Sequence, residues 1–327
     1  MNAIEDIFEN LKQLQEEFGK LTGEYNIFSN SKFYEILIAN HFEHRITIGS
    51  HGPDATNLQT KVEYKHYKES SSNHTWTFND YSDETLSALI DRTIYFVHIN
   101  DVTNADPFTY IDWYYKADGN VIASYIKNKS KELKNTRKMI NISSLQLESD
   151  CNIEKINVDS SSSEGEYAYF ISEIHKNITK LEQLTDSSNL LTSNKFWELF
   201  LAVFLGHSIN SKQGGKDGKH DAFDKTDKKY EYKISTTYSW IFEDISDNVI
   251  ENMQNLDGIY LATIDKRTFE RKKVYLLDTK KTLSYIKIKR NHLLAQKLRE
   301  KKTVKRLNVS ISKKELKEQN LIVKKIF

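Results

Sequence analysis

The chain of 327 residues carries a formal net charge of +1, 38 % hydrophobic and 12 % aromatic residues, and the single cysteine Cys151. This composition suits one large globular domain or two of about 150 residues each, and a lone cysteine excludes a disulfide framework and a thiolate zinc cluster. No apolar run approaches the roughly 20 residues of a membrane helix, and the acidic N-terminus is unlike a secretion signal, so we expect a cytoplasmic protein without a membrane partner.

In chain order, the first half predicts two helices, two strands, a helix and a strand, and the second half predicts the same series. Apolar residues at helical spacing mark the helices, whereas short alternating or β-branched runs bounded by polar loops mark the strands. Ser-Asp pairs at 82–83 and 246–247 are typical of helix starts. The main predicted segments are 4–21, 33–42, 61–67, 83–91 and 93–99, then 167–184, 196–205, 229–235, 247–255 and 258–264.

The two series agree because most of the sequence is duplicated. The matching pairs are NSKFYEILIANHF (30–42) with SNKFWELFLAVFL (193–205), WTFNDYSD (76–83) with WIFEDISD (240–247), TIYFVHI (93–99) with GIYLATI (258–264), and SYIK at 124–127 and 284–287. The serine-rich stretch 157–166 has the composition of a linker. We therefore predict two α/β domains, 1–158 and 159–327, each a mixed β-sheet flanked by helices, related by a pseudo-twofold axis.

Each half also carries one aspartate, a gap of eight or nine residues and a Glu-Tyr-Lys triplet. These residues are Asp54, Glu63 and Lys65 in the first half and Asp221, Glu231 and Lys233 in the second. Side chains alternate along a strand, so the glutamate and the lysine of a triplet share one face. Two carboxylates in one pocket repel each other, and a magnesium ion with oxygen ligands relieves the repulsion. The pattern therefore predicts a magnesium site beside a lysine in each half.

The pattern resembles the signature of the PD-(D/E)XK nuclease superfamily, with a literal Pro53-Asp54 in the first half and His220 in place of the proline in the second. That superfamily includes many type II restriction endonucleases, and its core is a mixed sheet flanked by helices. Many members also hold a glutamate on the helix before the signature, where this chain has Glu35 and Glu198. The resemblance covers roughly residues 30–100 and 193–265.

This resemblance implies a type II restriction endonuclease that hydrolyses duplex DNA at a specific site, with a magnesium-activated water, at least one ion per half and one strand per site. In each half, the aspartate and the triplet glutamate would hold the ion. The helix glutamate would ligate or tune it, and the lysine would orient the attacking water or help to deprotonate it. The implied catalytic residues are Asp54, Glu63, Lys65, Asp221, Glu231, Lys233, Glu35 and Glu198, with Asp54, Glu63, Asp221 and Glu231 as metal ligands.

Two sites in one chain would allow a monomeric pseudo-dimer to cut both strands of a duplex. Polar residues that follow the triplet strands or precede the second aspartate are expected to contact DNA. They are Lys68, Ser71, Lys219, Ser235 and Thr236. A cognate DNA methyltransferase is the expected genetic partner of such an enzyme.

Other interpretations stay open at this point. The helix glutamates and triplet lysines also fit ordinary polar positions of amphipathic helices and solvent-facing strands. Trp76 and Trp240 occupy equivalent points of the duplication, which favours core packing over stacking on bases. The alternative functions are another nuclease of the superfamily, such as a repair or nicking enzyme, a DNA-binding protein with one active half, and an interaction protein without catalysis. The chain has no HExxH motif and no phosphate-binding glycine loop, which excludes most zinc hydrolases, NTPases and dehydrogenases.

Overall fold

A computed structural model describes residues 3–48, 52–79, 82–132, 139–158, 164–210, 220–299 and 307–327. Its chain groups into two compact units. The N-terminal unit consists of Glu17–Ile27 and Ser31–Lys176, and the C-terminal unit of Met1–Glu16, Phe28–Asn30 and Asn177–Phe327. Among the described residues, no helix is both long and apolar enough to span a membrane.

A six-stranded mixed sheet forms the centre of the N-terminal unit, in the order β1-β2-β3-β5-β6-β8. Strands β3 and β5 are parallel, and the other neighbours are antiparallel. A separate antiparallel pair joins β4 to β7. The elements up to α6 are α1 (Ala3–Thr22), α2 (Lys32–His41), β1 (Arg45–Ile46), β2 (Ala55–Asn57), β3 (Thr60–Lys68), β4 (Trp76–Asn79), α3 (Asp83–Ile90), β5 (Arg92–Ile99), β6 (Ile111–Asp118), α4 (Gly119–Glu132), β7 (Met139–Ile142), α5 (Ser144–Ser149), β8 (Lys155–Asn157) and α6 (Ala168–Thr185).

The C-terminal unit contains an equivalent sheet in the order β9-β10-β11-β13-β14-β16, with β11 and β13 as the parallel pair and β12 joined to β15. The remaining elements are α7 (Lys195–Leu205), β9 (Ser208–Ile209), β10 (Ala222–Phe223), β11 (Lys229–Ser235), β12 (Ser239–Ile245), α8 (Asp247–Met253), β13 (Gly258–Asp265), β14 (Glu270–Leu277), α9 (Thr279–Arg299), β15 (Leu307–Ser312), α10 (Lys313–Glu318) and β16 (Ile322–Lys325). The predicted fold class, α/β with mixed sheets flanked by helices in two similar halves, is thus confirmed. The pseudo-twofold axis stays a prediction.

The likeness between the units extends beyond the region where their sequences match. The series β6-α4-β7-α5-β8 recurs as β14-α9-β15-α10-β16, with the same strand neighbours. In this region the sequence shows only the SYIK repeat, which lies on α4 and α9. The duplication therefore includes every strand of both sheets.

The two repeated tryptophans belong to the core of their units. Trp76 and Trp240 are both fully buried, and each indole Nε1 donates a hydrogen bond to a carbonyl oxygen of the parallel strand pair. The acceptors are Val97, at 3.2 Å, and Ala262, at 2.8 Å. The packing interpretation is confirmed, and base stacking by these rings is excluded by their burial.

Each unit includes a helical segment from the other half of the chain. In the C-terminal unit, the ring of Phe8 on α1 lies 5.6 Å from Phe196 and 5.1 Å from Phe200. In the N-terminal unit, Phe18 lies 5.6 Å from Tyr167, which directly precedes α6. The two units therefore do not contain the same residues as the predicted domains 1–158 and 159–327.

Candidate active site

The N-terminal cluster consists of Asp54, Glu63, Lys65 and Glu35. Asp54 precedes the short strand β2, which pairs with β3 so that Ala55 faces Val62. Its backbone N–H donates to the carbonyl of Val62 at 2.9 Å, and its Oδ2 accepts from the backbone N–H of Tyr64 at 2.7 Å. The hairpin therefore fixes this carboxylate against the strand that carries the triplet.

Glu63 and Lys65 share a face of β3, as the alternation predicts. Lys65 Nζ lies 2.7 Å from Glu63 Oε1, and 5.3 Å from the centroid of the Phe78 ring. The Lys65 side chain is only 24 % exposed. It is therefore a partly buried partner of the carboxylates rather than a solvent-facing strand lysine.

Glu35 lies in the first turn of α2 and pairs with Lys32 Nζ at 2.8 Å. Its side chain is 21 % exposed. Burial raises the pKa of Glu35, although Lys32 and Lys65 oppose the effect. The influence of Lys65 on this pKa shows that the helix glutamate belongs to the same electrostatic neighbourhood as the triplet.

The C-terminal cluster, which consists of Asp221, Glu231, Lys233 and Glu198, repeats this arrangement. Asp221 Oδ2 accepts from the backbone N–H of Tyr232 at 2.7 Å, and Lys233 Nζ lies 2.6 Å from Glu231 Oε1. Glu198 lies in the first turn of α7, and its pKa is raised by burial and influenced by both Lys233 and Glu231. All eight predicted catalytic residues therefore lie in two clusters of four, one in each unit.

The aspartates are the most perturbed acids of the clusters. Burial, together with the charges of Glu63 and Glu35, raises the pKa of Asp54 to about 7. Burial and the charges of Glu231 and Glu198 likewise raise the pKa of Asp221 well above its ordinary range. Each aspartate is thus a poorly solvated carboxylate beside two others, a situation in which a cation stabilises the ionised form.

The lysines are shifted in the direction that keeps them charged. Burial lowers the pKa of Lys65, but attraction by Glu63 and Asp54 outweighs it, so that the pKa lies above its usual value. The pKa of Lys233 is raised for the same reasons. Both side chains are ammonium groups at neutral pH.

The donor set fits a magnesium ion held partly by solvent. Carboxylate oxygens are the hard ligands that magnesium prefers, and the ion usually binds through one or two carboxylates while it keeps several waters. Within the described ranges, no group of three or more acids, histidines or cysteines is arranged to hold a metal by itself. The predicted Asp54–Glu63 and Asp221–Glu231 pairs would each supply two carboxylates, the number that magnesium usually takes from a protein while it keeps several waters.

The tyrosine of each triplet has a structural role on the opposite face of its strand. Tyr64 Oη lies 2.8 Å from His44 Nδ1, and Tyr232 Oη lies 2.8 Å from His207 Nδ1. Burial, with the charge of Lys116, lowers the pKa of His44 to about 4. These neutral histidine–tyrosine pairs explain why the triplet keeps its central tyrosine in both halves.

Sequence reasoning missed four further cations that lie beside the clusters in the described part of the chain: Arg92, Lys32, Lys195 and Lys266. The aligned Lys32 and Lys195 stand inside the first matching segments, so the duplication itself was a signal for them. Lys266 donates to Ser29 Oγ and Asn194 Oδ1, both at 2.9 Å, and burial lowers its pKa to about 8. Arg92 and Lys266 have no cationic counterpart in the other half, so no repeat indicates them.

The predicted DNA-contacting residues differ in their surroundings. Lys68 is buried and pairs with Asp101 at 3.3 Å, so its charge is already compensated within the unit. Ser71 Oγ donates to the carbonyl of Lys68 at 2.6 Å. Ser235 is partly buried and Thr236 exposed, at the end of β11. Lys219 lies outside the described residues.

No protein-family model matches the sequence, and no curated protein matches it either. The resemblance to nucleases therefore stays a prediction from the residues of the two repeated motifs.

Proposed function

We propose that the chain is a magnesium-dependent endonuclease of the PD-(D/E)XK type that cuts duplex DNA, with one active site in each unit and one strand cut by each site. The observation that supports this function is the recurrence of one constellation in both units: a hairpin aspartate, a Glu-x-Lys strand and a helix glutamate within one electrostatic neighbourhood. A structural protein has no need to keep so costly a group of buried acids twice.

In this proposal Asp54 and Glu63, like Asp221 and Glu231, bind the ion, and Glu35 and Glu198 adjust its surroundings. A bound magnesium ion supplies Lewis-acid stabilisation of the charge that develops on the phosphate and acidifies the attacking water. Because the pKa values of the triplet lysines are raised, these side chains act as charged hydrogen-bond donors to the phosphate or the water, and not as proton acceptors.

Two complete clusters favour an enzyme that cuts both strands as a single chain, which is the requirement for a type II restriction endonuclease of the pseudo-dimeric kind. Site-specific cutting gives discrete fragments from a genomic DNA, whereas a repair or nicking enzyme gives a smear or nicks alone. If prior methylation of the target site protects the DNA from cutting, the result would support the restriction role and the predicted methyltransferase partner.

The proposal is tested with supercoiled plasmid and magnesium, comparing wild type with Glu63→Gln, Glu231→Gln and the double variant. Wild type is expected to linearise the plasmid, each single variant to nick it, and the double variant to lose at least about 100-fold in rate. Glu84→Gln and Glu251→Gln, at exposed helix positions of the two units, are matched controls that keep full activity.

Each alternative gives a different pattern in the same assay. Full linearisation by one single variant would assign its unit to DNA recognition alone. An inert wild type on varied duplex DNAs, indistinguishable from its EDTA control, would refute the nuclease.

A further inference from the structure

The two clusters differ at one carboxylate oxygen. In the N-terminal cluster, Glu63 Oε1 is paired with Lys65, and Glu63 Oε2 is paired with Nη1 of Arg92. Arg92 is the first residue of β5, and its Nη1 also donates to the carbonyl of Gly52 at 3.3 Å. Both oxygens of this predicted metal ligand are therefore already bound to cations.

The C-terminal unit has no guanidinium in the equivalent place. Glu63 faces Ile94 across the parallel pair, and Glu231 faces Ile259. The residue two positions before Ile259, equivalent to Arg92, is Asp257. Its Oδ2 accepts from the backbone N–H of Lys229 at 2.8 Å. Among the described residues, Lys233 is the only salt-bridge partner of Glu231 and it contacts Oε1, so no described cation is paired with Glu231 Oε2.

The Arg92–Glu63 pair opposes metal binding at the N-terminal cluster. The two side chains are only 14 % and 13 % exposed, so solvent weakens their attraction less than it weakens a surface pair. A divalent cation and the guanidinium need the same oxygen. The ion must therefore displace Arg92 at the N-terminal cluster, whereas no described guanidinium has to be displaced from Glu231 at the C-terminal cluster.

We propose that Arg92 is a positioning residue that makes the N-terminal cluster the weaker of two metal sites, so that the C-terminal site fills first and one strand of the DNA is cut before the other. The inference rests on the proposed function, since it assigns different affinities to the same two sites. It predicts a nicked intermediate whose lifetime shortens as the magnesium concentration rises.

Binding of Mn²⁺ to the full chain, followed by the EPR signal of the free ion, tests the inference without any activity. Wild type is expected to show two classes of site that differ by about tenfold in Kd. Glu231→Gln should remove the tighter class and Glu63→Gln the weaker one. Arg92→Leu should tighten the weaker class about tenfold, while Arg45→Leu, an exposed arginine on β1 of the same sheet, leaves both unchanged.

The reciprocal variant Asp257→Arg places a guanidinium at the equivalent point of the C-terminal unit and should weaken the tighter class. This variant keeps the inference testable if Arg92→Leu fails to fold. In plasmid assays, Glu63→Gln should reach half-maximal nicking at about tenfold less magnesium than Glu231→Gln, and Arg92→Leu added to Glu231→Gln should abolish the difference.

The outcomes separate the two proposals. Two sites of equal affinity for Mn²⁺, unchanged by Arg92→Leu and Asp257→Arg, would overturn the role of Arg92. The proposed nuclease function would be unaffected by that result. Mn²⁺ binding that neither Glu63→Gln nor Glu231→Gln changes would overturn both proposals.

Discussion

Asp54 is held where its charge is unfavourable unless a cation is present. The backbone N–H of Tyr64 stabilises the carboxylate, but burial and the neighbouring Glu63 and Glu35 outweigh that hydrogen bond. Active sites often keep acids in such surroundings, because the free energy lost by the empty site is regained when the ligand binds. We therefore expect the free energy of unfolding to be lower without a bound metal ion than with one.

Replacing Asp54 with asparagine should stabilise the metal-free protein at high pH. The folded-state pKa of about 7 lies above the ordinary 3.8, so the stability that Asp54 contributes is complete below 3.8 and is lost as the pH rises through 7. The amide of the substituted asparagine does not ionise and therefore loses nothing over this range. At about pH 8 in EDTA, Asp54→Asn should raise the free energy of unfolding by up to about 4 kcal/mol, and at about pH 4 it should change little.

Urea unfolding across this pH range measures the effect. Asp224→Asn is a control of opposite sign, because hydrogen bonds from Thr226 hold the pKa of Asp224 below its ordinary value, which adds stability at high pH. This control should lower stability at about pH 8. If the stability of Asp54→Asn followed the wild-type pH profile, Asp54 could not have a pKa raised by burial and by repulsion from Glu63 and Glu35.

The sequence predicted the eight acids and lysines of the two clusters because the duplication keeps them in register. It missed Arg92 for the same reason. The counterpart of Arg92 in the second half is Asp257, so a comparison of the halves does not indicate this position as shared. The contact of Arg92 with Glu63 depends on the register of two strands that are distant in sequence, and a single sequence gives no such register.

At the scale of elements, the short helices α5 and α10 both start with a capping box. Each follows the second strand of a two-stranded pair, β4–β7 or β12–β15. Ser143 Oγ accepts from Gln146 N at 3.3 Å, and Gln146 Oε1 accepts from Ser143 N at 3.0 Å. In α10, Ser312 and Glu315 make the same reciprocal bonds at 3.4 and 2.7 Å. Reciprocal bonds of this kind satisfy two backbone N–H groups of the first turn, which lets helices of one to two turns form.

The two boxes should differ in what they contribute to stability. Glu315 Oε1 also accepts from Tyr285 Oη at 2.7 Å and from Lys289 Nζ at 2.5 Å, whereas Gln146 has no such partners among the described residues. Gln146→Ala should therefore cost about 1 kcal/mol, and Glu315→Ala about 2–3 kcal/mol, because it leaves charged and hydroxyl partners unpaired. Urea unfolding at neutral pH compares them directly. Equal costs would show that the additional bonds of Glu315 contribute nothing.

Strongly patterned elements were predictable and short ones were not. The apolar, β-branched runs of β5 and β13 and the helices with repeated apolar faces all lie where the sequence predicts them. Strands β1, β2, β9 and β10 have two or three residues each, too few for any periodicity. Strands β2 and β10 pair with the edges of β3 and β11, and β1 and β9 pair in turn with β2 and β10. These short strands adjoin the two aspartates and position them.

At the scale of the whole molecule, the compact units do not follow the linear halves. In the N-terminal unit, the buried side chains of Tyr167, Ile171 and Ile174 come from beyond residue 158. Tyr167 Oη accepts from the backbone N–H of Ile46 at 3.3 Å. The serine-rich stretch 157–166 therefore marks a change in composition but precedes residues that complete the core of this unit.

Two fragments of nearly equal length distinguish the divisions: 17–176, which contains the whole N-terminal unit, and 1–158, which is the linear half. Burial of Tyr167, Ile171 and Ile174 contributes about 1.5–3 kcal/mol each. Their loss is comparable to the total stability of about 5–15 kcal/mol of an ordinary domain. Fragment 17–176 should thus melt cooperatively by circular dichroism, whereas 1–158 should melt at a much lower temperature or show no transition. If fragment 1–158 proved as stable as 17–176, the linear half would be able to fold on its own. The buried residues beyond 158 would then not be needed for the N-terminal sheet to fold.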